Sequence, residues 1–273
     1  MIQPKLLSEQ LSFSTVRLET KSGSGTGFFF HFKFNDQKHI PVIITNKHVV
    51  NNKLEEEVEF FLHIKDGSNP TSENINTHMK ARWISHPDLD LCCTFIGPLL
   101  TQIRQQDQKE IFYISLEEKL IWEDPKLEEL QTVEDVLMVG YPNGLFDRNN
   151  NLPLFRKGIT ASHPAIDFNG QSIGVVDCSC FPGSSGSPIL LYNDNGYTDK
   201  KGTTHLGAKR TVFLGVLFGG PVFNAQGDIS IEEIPTQQNI CTSTPMMINL
   251  GYYIKAKELF KLKEEVLKIV NKH

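Results

Sequence analysis

Short apolar segments separated by turn residues fill most of this chain, and that pattern limits the folds open to it. Residues 41–45 are rich in β-branched side chains and too short for a helix, and residues 30–34 alternate between apolar and polar. Such alternation is typical of a half-buried strand. Further strands are predicted at 58–64, 79–84, 91–96, 136–140, 158–162, 174–178, 188–192, 212–218 and 246–254. About ten short strands at regular spacing favour an all-β sandwich or barrel.

Two stretches depart from the strand pattern. Residues 101–132 are polar and rich in Gln, Glu and Lys, so we interpret them as the connection between two halves. In residues 256–273 apolar side chains recur at helical spacing, which predicts an amphipathic C-terminal helix. These side chains are Leu259, Leu262, Val266, Ile269 and Val270. The expected domains are therefore 1–115, 116–255 and the final helix.

The charge balance and the cysteines narrow the classes of function. The 273 residues carry 27 Lys and Arg against 32 Asp and Glu, a formal charge of −5. This gives no reason to expect a nucleic acid or a membrane surface as partner. No segment has the pattern of a membrane-spanning helix or of a signal peptide. The five cysteines are odd in number and poorly spaced for pairing, so reduced thiols and a cytoplasmic location are expected.

Three segments each carry a residue type used in nucleophilic catalysis. His48 follows an apolar strand, Asp90 directly precedes another, and Ser185 lies in a Gly/Ser turn between apolar segments. Taken singly, each has an ordinary structural interpretation as a surface histidine, a strand-initiating turn or a flexible loop. Their combination is more informative, because base, acid and nucleophile are the three groups that acyl transfer by a serine requires.

The turn around Ser185 has the composition of an oxyanion-binding loop. Gly183 and Gly186 flank Ser185 and permit backbone torsions that aim successive N–H groups at one point beside the hydroxyl. Preorganised donors at that point stabilise the oxygen that becomes negative during acyl transfer.

The order of these residues resembles that of the chymotrypsin-like (trypsin-like) serine peptidases. Residues 45–49 look like the family's Thr-x-x-His-Val segment, residues 90–93 like its acid segment, and residues 183–188 like its Gly-x-Ser-Gly-x-Pro turn. The resemblance covers most of the chain. It is nearest to the bacterial high-temperature-requirement branch, because residues 23–28 and 249–254 resemble its opening and closing segments. No PDZ module is expected after them.

This resemblance implies a fold and an activity. The fold would be all-β, with two six-stranded antiparallel β-barrels and a C-terminal α-helix, His48 and Asp90 on the first barrel and Ser185 on the second. The activity would be that of a serine endopeptidase acting on proteins or peptides through an acyl-enzyme, without cofactor or metal. Gly183 and Ser185 would supply the oxyanion hole.

The resemblance also implies a primary specificity pocket. Its residues would be Ser179, Cys180, Phe218, Gly219 and Gly220. None of these is charged, so we expect a small to medium uncharged side chain before the scissile bond. A small shift of register would instead bring Asp177 into the pocket.

Other residues are alternatives for the acid and the nucleophile, and two other classes of hydrolase are alternatives to a serine peptidase. Asp88 is the alternative acid, but the apolar strand begins directly after Asp90. Ser184 and Ser187 are alternative nucleophiles, but only Ser185 stands third in Gly-x-Ser-Gly. An α/β-hydrolase would need Gly-x-Ser-x-Gly, and a zinc hydrolase would need His-Glu-x-x-His; neither motif occurs.

A different class of function also stays open. The chain could be a peptidase-fold binding or scaffolding protein, inactive or active only when a partner orders the oxyanion loop. The segments 101–132 and 223–244 are candidate exosites, partner surfaces or loops. The digestive relatives carry an activating aspartate just before the serine, where this chain has Ser184, so activation by that ion pair is not expected.

Overall fold

The computed structural model of the chain describes residues 1–142, 145–228, 241–247 and 249–272. Strands of the first half are β1 (Thr15–Thr20), β2 (Gly23–Lys33), β3 (His39–Thr45), β4 (Glu55–Asp66), β5 (Asn69–Arg82), β6 (Ile84–Ser85), β7 (Cys92–Phe95), β8 (Ile111–Phe112) and β9 (Leu116–Glu117). Those of the second half are β10 (Asp135–Gly140), β11 (Leu154–Thr160), β12 (Ile173–Asp177), β13 (Pro188–Asn193), β14 (Gly196–Thr198), β15 (Thr204–Leu206), β16 (Arg210–Gly219), β17 (Val222–Asp228), β18 (Cys241–Met247) and β19 (Leu250–Lys255). The helices are α1 (Leu7–Leu11), α2 (Ile96–Gln106), α3 (Asp124–Leu127) and α4 (Glu258–Val270).

The first half is an antiparallel sheet with strand order β5-β4-β1-β2-β3-β7-β6, to which β8 and β9 add at β4 and β2. Among the described strands, no ladder of hydrogen bonds joins the two ends of this path. Only Trp83 separates β5 from β6, however, so one bent segment borders both ends of the path. The side chain of Trp83 is 2% exposed and lies in the core at this bend. The first half is therefore a nine-stranded sheet and not the closed six-stranded barrel that was predicted, with a corner at Trp83 between the two ends of its path.

The second half is a closed six-stranded barrel with order β10-β11-β12-β19-β16-β13. This agrees with the predicted all-β fold. The segment 246–254, predicted as one strand, instead contributes to β18 and β19, and Asn249 between them has a φ of 36°. That left-handed backbone conformation interrupts an extended strand.

The predicted C-terminal helix is confirmed as α4. Its apolar stripe, with Leu259, Leu262 and Val266 buried, packs into a core that also contains Phe28 of the first half and Phe213 of the second. The rings of Phe28 and Phe213 lie 5.5 Å apart edge to face. The two halves thus share apolar packing, which fixes the relative position of the loops that they carry.

The connecting region contains a helix that the strand pattern did not predict. In α2, Ile96, Leu99 and Ile103 are buried and follow helical spacing. Gly97 and Pro98 obscure this spacing in the sequence, but proline is tolerated in the first turn of a helix because its missing N–H would have no partner there.

Candidate active site

His48 and Asp90 lie at the same end of two neighbouring strands. Strands β3 and β7 pair antiparallel with Thr45 opposite Cys92. His48 follows the last residue of β3 by three positions, and Asp90 precedes the first residue of β7 by two. Because the end of one antiparallel strand lies beside the start of the next, the loops that carry these two residues meet.

The carboxylate of Asp90 holds His48 at two points. His48 Nδ1 lies 2.5 Å from Asp90 Oδ2, and the main-chain N–H of His48 donates to Oδ1 at 3.1 Å. Asn46 Nδ2 donates to the Asp90 carbonyl at 2.7 Å, which fixes the loop that carries Asp90. A carboxylate accepts from Nδ1, so Nδ1 carries the proton and Nε2 is left as an acceptor.

The electrostatics of the pair keep Asp90 ionised. Burial raises the pKa of the Asp90 carboxyl, but the hydrogen bonds and charge of His48 more than offset this, and the pKa lies below its ordinary value. The His48 side chain is 42% exposed and therefore open to a substrate.

The rival acid Asp88 occupies a different position. Its main-chain N–H and that of Leu89 donate to His86 Nδ1 at 3.1 and 3.0 Å. His86 Nε2 donates in turn to Glu258 Oε2 at 3.2 Å, at the start of α4. The loop that leads to Asp90 is therefore tied to the C-terminal helix through a fully buried imidazole.

Ser185 is the second residue of the second of two consecutive turns that share Ser184. Ser184 N–H donates to the Phe181 carbonyl, and Ser187 N–H donates to the Ser184 carbonyl, both at 3.0 Å. The third residues of the two turns are Gly183 and Gly186, with φ of 85° and 86°. A positive φ at this position is what a type II turn requires, and it explains why glycine stands at both.

The serines of this turn differ in exposure. Ser184 and Ser187 are 1% and 0% exposed, whereas Ser185 is only half-buried. Within the described residues, the main-chain N–H groups of Gly183 and Ser185 donate to no other group of the protein. These two N–H groups are therefore available to an anionic oxygen beside the Ser185 hydroxyl.

Thr26 of the first half docks this turn. Its N–H donates to the Ser185 carbonyl at 2.9 Å, and its Oγ1 donates to the Gly183 carbonyl at 3.0 Å. The Thr26 carbonyl accepts from Thr45 Oγ1 at 2.7 Å. A continuous line of hydrogen bonds thus runs from the end of β3, three residues before His48, to the residue that bears the candidate nucleophile.

The imidazole and the hydroxyl are not joined in this structure. Between the described residues His48 and Ser185 there is no hydrogen bond, although Asp90 and Thr26 hold their segments against the same sheet. Such bonds are often long in substrate-free sites and shorten when substrate is bound.

The predicted pocket residues fall into two sets. The first set is Phe218, Gly219 and Gly220, at the end of β16. Among the described residues, a side chain at Gly219 would meet no atom within 4 Å. The second set is Ser179 and Cys180. The Cys180 side chain is 2% exposed and lies in the second-half core, where burial raises its pKa to about 12. The carbonyl of Ser179 is occupied by a hydrogen bond from Arg156.

Thr26 and Arg156 were missed by the sequence reasoning. Thr26 lies within the glycine-rich segment 23–28, which the resemblance had singled out without giving it a role. Arg156 lies on β11 and donates to Ser184 Oγ as well as to Ser179. Nothing in its local sequence marks it, because its contacts are with residues more than twenty positions away.

In the part of the chain that the structure describes, no helix is long and apolar enough to cross a membrane. A search of curated protein sequences found no match.

Three solved structures are similar to this chain over most of its length. The inactive form of the Rv3671c protease is 17% identical, covers 96% of this chain and 92% of its own, and has a TM-score of 0.44. The thermostable serine protease AL20 from an extremophilic microorganism is 13% identical, with coverages of 94% and 97% and a TM-score of 0.46. The scabies mite inactivated protease paralogue S-I1 is 11% identical, with coverages of 95% and 97% and a TM-score of 0.44. All three TM-scores lie below 0.5, so these similarities do not bear on activity.

The family follows from the sequence of the central region. Residues 25–197 match the sequence model of the trypsin-like peptidase domain, and this span contains the strands and turns that carry His48, Asp90 and Ser185. The narrower likeness to the high-temperature-requirement branch stays a prediction. The match extends over more than half of the chain, which therefore belongs to the trypsin-like peptidase family.

Proposed function

We propose that the protein is a serine endopeptidase in which His48, Asp90 and Ser185 form a catalytic triad. The observation that carries the proposal is the line of hydrogen bonds from Thr45 through Thr26 to Ser185, which ties the candidate nucleophile to the strand preceding the candidate base. Two distant parts of the sequence are thereby held together.

The proposed reaction begins when His48 Nε2 accepts the proton of the Ser185 hydroxyl. The oxygen attacks the scissile carbonyl carbon, and the carbonyl oxygen becomes negative in the tetrahedral intermediate. The N–H groups of Gly183 and Ser185 donate to that oxygen. Asp90 keeps the proton of the imidazole on Nδ1 and stabilises the imidazolium that forms.

The intermediate collapses when His48 gives its proton from Nε2 to the leaving amine, and the acyl group stays on Ser185. A water molecule then loses a proton to His48 and attacks the ester. His48 returns the proton to Ser185 as the acid product leaves.

Substrate preference is proposed from the chemistry of the pocket. The predicted pocket residues are uncharged, and the nearest carboxylate in the sequence, Asp177, has one oxygen engaged by a hydrogen bond from Asn249 Nδ2 at 2.6 Å. We therefore expect cleavage after small to medium uncharged side chains. Cleavage sites in a peptide library derived from a proteome test this, and predominant cutting after Arg or Lys would reject it.

A binding protein on the peptidase fold is the second candidate. It is favoured by the missing hydrogen bond between the described side chains of His48 and Ser185. It predicts that the isolated chain does not react with a fluorophosphonate until a partner protein is added.

Replacement of the nucleophile tests the proposal directly. Ser185→Ala should abolish hydrolysis of casein and of a fluorogenic peptide pool while leaving the thermal unfolding temperature near that of the parent. Ser68→Ala is the matched control, because Ser68 is exposed in the turn between β4 and β5. A folded Ser185→Ala variant that hydrolyses peptides at the parental rate would refute the assignment.

A further inference from the structure

Arg156 places one guanidinium nitrogen under the nucleophile turn. Its Nη1 donates to the Ser179 carbonyl at 2.7 Å and to Ser184 Oγ at 2.7 Å. Ser184 Oγ also accepts from the Phe181 N–H at 3.3 Å. A single nitrogen on β11 therefore joins the start of the segment 179–184 to its end.

The charge of Arg156 is not matched by an acid in contact with it. Within the described residues no carboxylate acts on the charge of Arg156, and its buried Nε and Nη2 atoms have no hydrogen-bond acceptor. Burial lowers its pKa, and the neighbouring thiols of Cys178 and Cys180 have pKa values raised by burial, so they are neutral near pH 7. A half-buried cation bonded only to a carbonyl and a hydroxyl is unfavourable for folding, and such a group is commonly kept for function.

Ser184 connects the charge of Arg156 to the candidate oxyanion donors. Ser184 lies between Gly183 and Ser185, whose N–H groups are free, and its side chain is buried. The orientation of the Pro182–Gly183 peptide depends on the turn from Phe181 to Ser184. A bond that fixes the Ser184 side chain and the Ser179 carbonyl restricts both ends of that turn.

We propose that Arg156 is a positioning residue that holds the segment 179–184 in the shape in which the Gly183 N–H can bind the oxyanion. The inference rests on the proposed peptidase function. In this proposal the cation that orders the nucleophile turn is Arg156 of β11. The turn then needs no charged group from another segment or from a partner.

The test compares Arg156→Met with Lys157→Met. Lys157 is the next residue on β11, is exposed and pairs with Asp135, so its replacement removes the same charge from the opposite face of the same strand. For Arg156→Met we expect kcat to fall about 10- to 100-fold, below the 10²- to 10³-fold loss typical of removing one oxyanion donor outright. KM should stay within about twofold of the parent, as expected when an interaction is made only in the transition state. Lys157→Met should match the parent.

Chemical rescue provides a readout that a merely structural role would not give. Guanidinium at millimolar concentration should restore part of the kcat of Arg156→Ala and leave the parent unchanged. If Arg156→Met does not fold, the neutral variant Arg156→Gln decides: a fall in kcat of at least fivefold with a native near-UV spectrum supports the proposal, and a smaller fall overturns it.

The outcomes separate this inference from the proposed function. A parent that neither hydrolyses peptides nor reacts at Ser185 defeats the peptidase assignment itself. An active parent with an equally active, folded Arg156→Met variant defeats only the role of Arg156.

Discussion

The two halves of the site are held in place by different kinds of interaction. In the first sheet, hydrogen bonds from side chains position the residues. Asp90 binds His48 at two atoms, and the imidazole of His86 ties the loop that carries Asp90 to α4. On the second barrel, Ser185 and its N–H donors are set mainly by main-chain turns that require glycine at two positions, and the proposed exception is the side chain of Arg156. We therefore expect changes of charge and pH to act mainly on the first half, and changes of backbone shape mainly on the second.

The largest expected effect comes from the charged half. Asp90→Asn preserves shape but turns an Nδ2–H group toward Nδ1, so the imidazole proton moves to Nε2 and opposes its role as base. Loss of the acid in this way lowers kcat by about 10⁴-fold. Asp88→Asn is the control and should leave kcat/KM unchanged within about twofold. Equal loss in both variants would mean that the wrong carboxylate has been assigned.

A smaller but still large effect is expected from the backbone half. A Cβ atom at Gly186 would lie 1.8 Å from the Thr26 carbonyl oxygen and 2.6 Å from Thr45 Oγ1. Gly186→Ala should therefore displace the turn and lower kcat by about 10²- to 10³-fold, as loss of an oxyanion donor does.

Gly67→Ala is the control for Gly186→Ala. Gly67 also has a positive φ, 58°, but its Cβ would meet nothing within 4 Å. The NMR signal of the His48 Nδ1 proton should persist in Gly186→Ala, since the His48 and Asp90 pair lies on the other half. Its disappearance would show that the hydrogen bonds through Thr26 and Thr45 also hold the imidazole in place.

The smallest expected effect concerns stability and pH in the first half. His63 is 4% exposed and packs against Phe13, with Asn74 and Asn151 nearby. Among the described residues, neither of its ring nitrogens has a hydrogen-bond partner. Burial lowers the pKa of His63 from 6.5 to about 4. Between these two pH values the unfolded chain binds a proton that the folded chain does not, so stability falls as the pH falls. The loss is about 3 kcal/mol once the pH is below 4.

The lowered pKa of Asp90 acts with the same sign, because its contribution is lost as the pH falls through the acidic range. Urea unfolding of the parent and of His63→Phe at pH 7 and pH 4.5 measures the histidine part. His63→Phe should lose less stability on acidification, whereas His78→Phe, at an exposed position on β5, should behave like the parent. An unchanged pH dependence in His63→Phe would contradict the account of this histidine.

The candidate site residues that the sequence singles out are those that a local pattern marks. His48 and Asp90 each stand at the edge of an apolar strand, and Ser185 stands between two glycines, so the motif and the strand ends together located them. The C-terminal helix was predictable for the same reason, because its buried apolar residues recur at helical spacing in the sequence itself.

The remaining parts depend on contacts between distant residues. Thr26 bonds to Gly183 across 157 positions, and Arg156 bonds to Ser184 across 28, so no local pattern marks either. The corner at Trp83 and the helix α2 were also not predicted. The corner depends on how the two ends of the sheet meet. In α2, Gly97 and Pro98 hide the helical spacing of three buried residues.

The central claim is that the isolated chain carries an assembled triad in which His48 activates Ser185. Reaction with a fluorophosphonate, followed by mass spectrometry of the labelled peptide, tests it most directly. We predict that the parent is labelled at Ser185 without any partner and that His48→Ala, folded to the same unfolding temperature, is labelled far more slowly. A folded parent that is not labelled, or labelling at Ser185 that does not depend on His48, would contradict the claim.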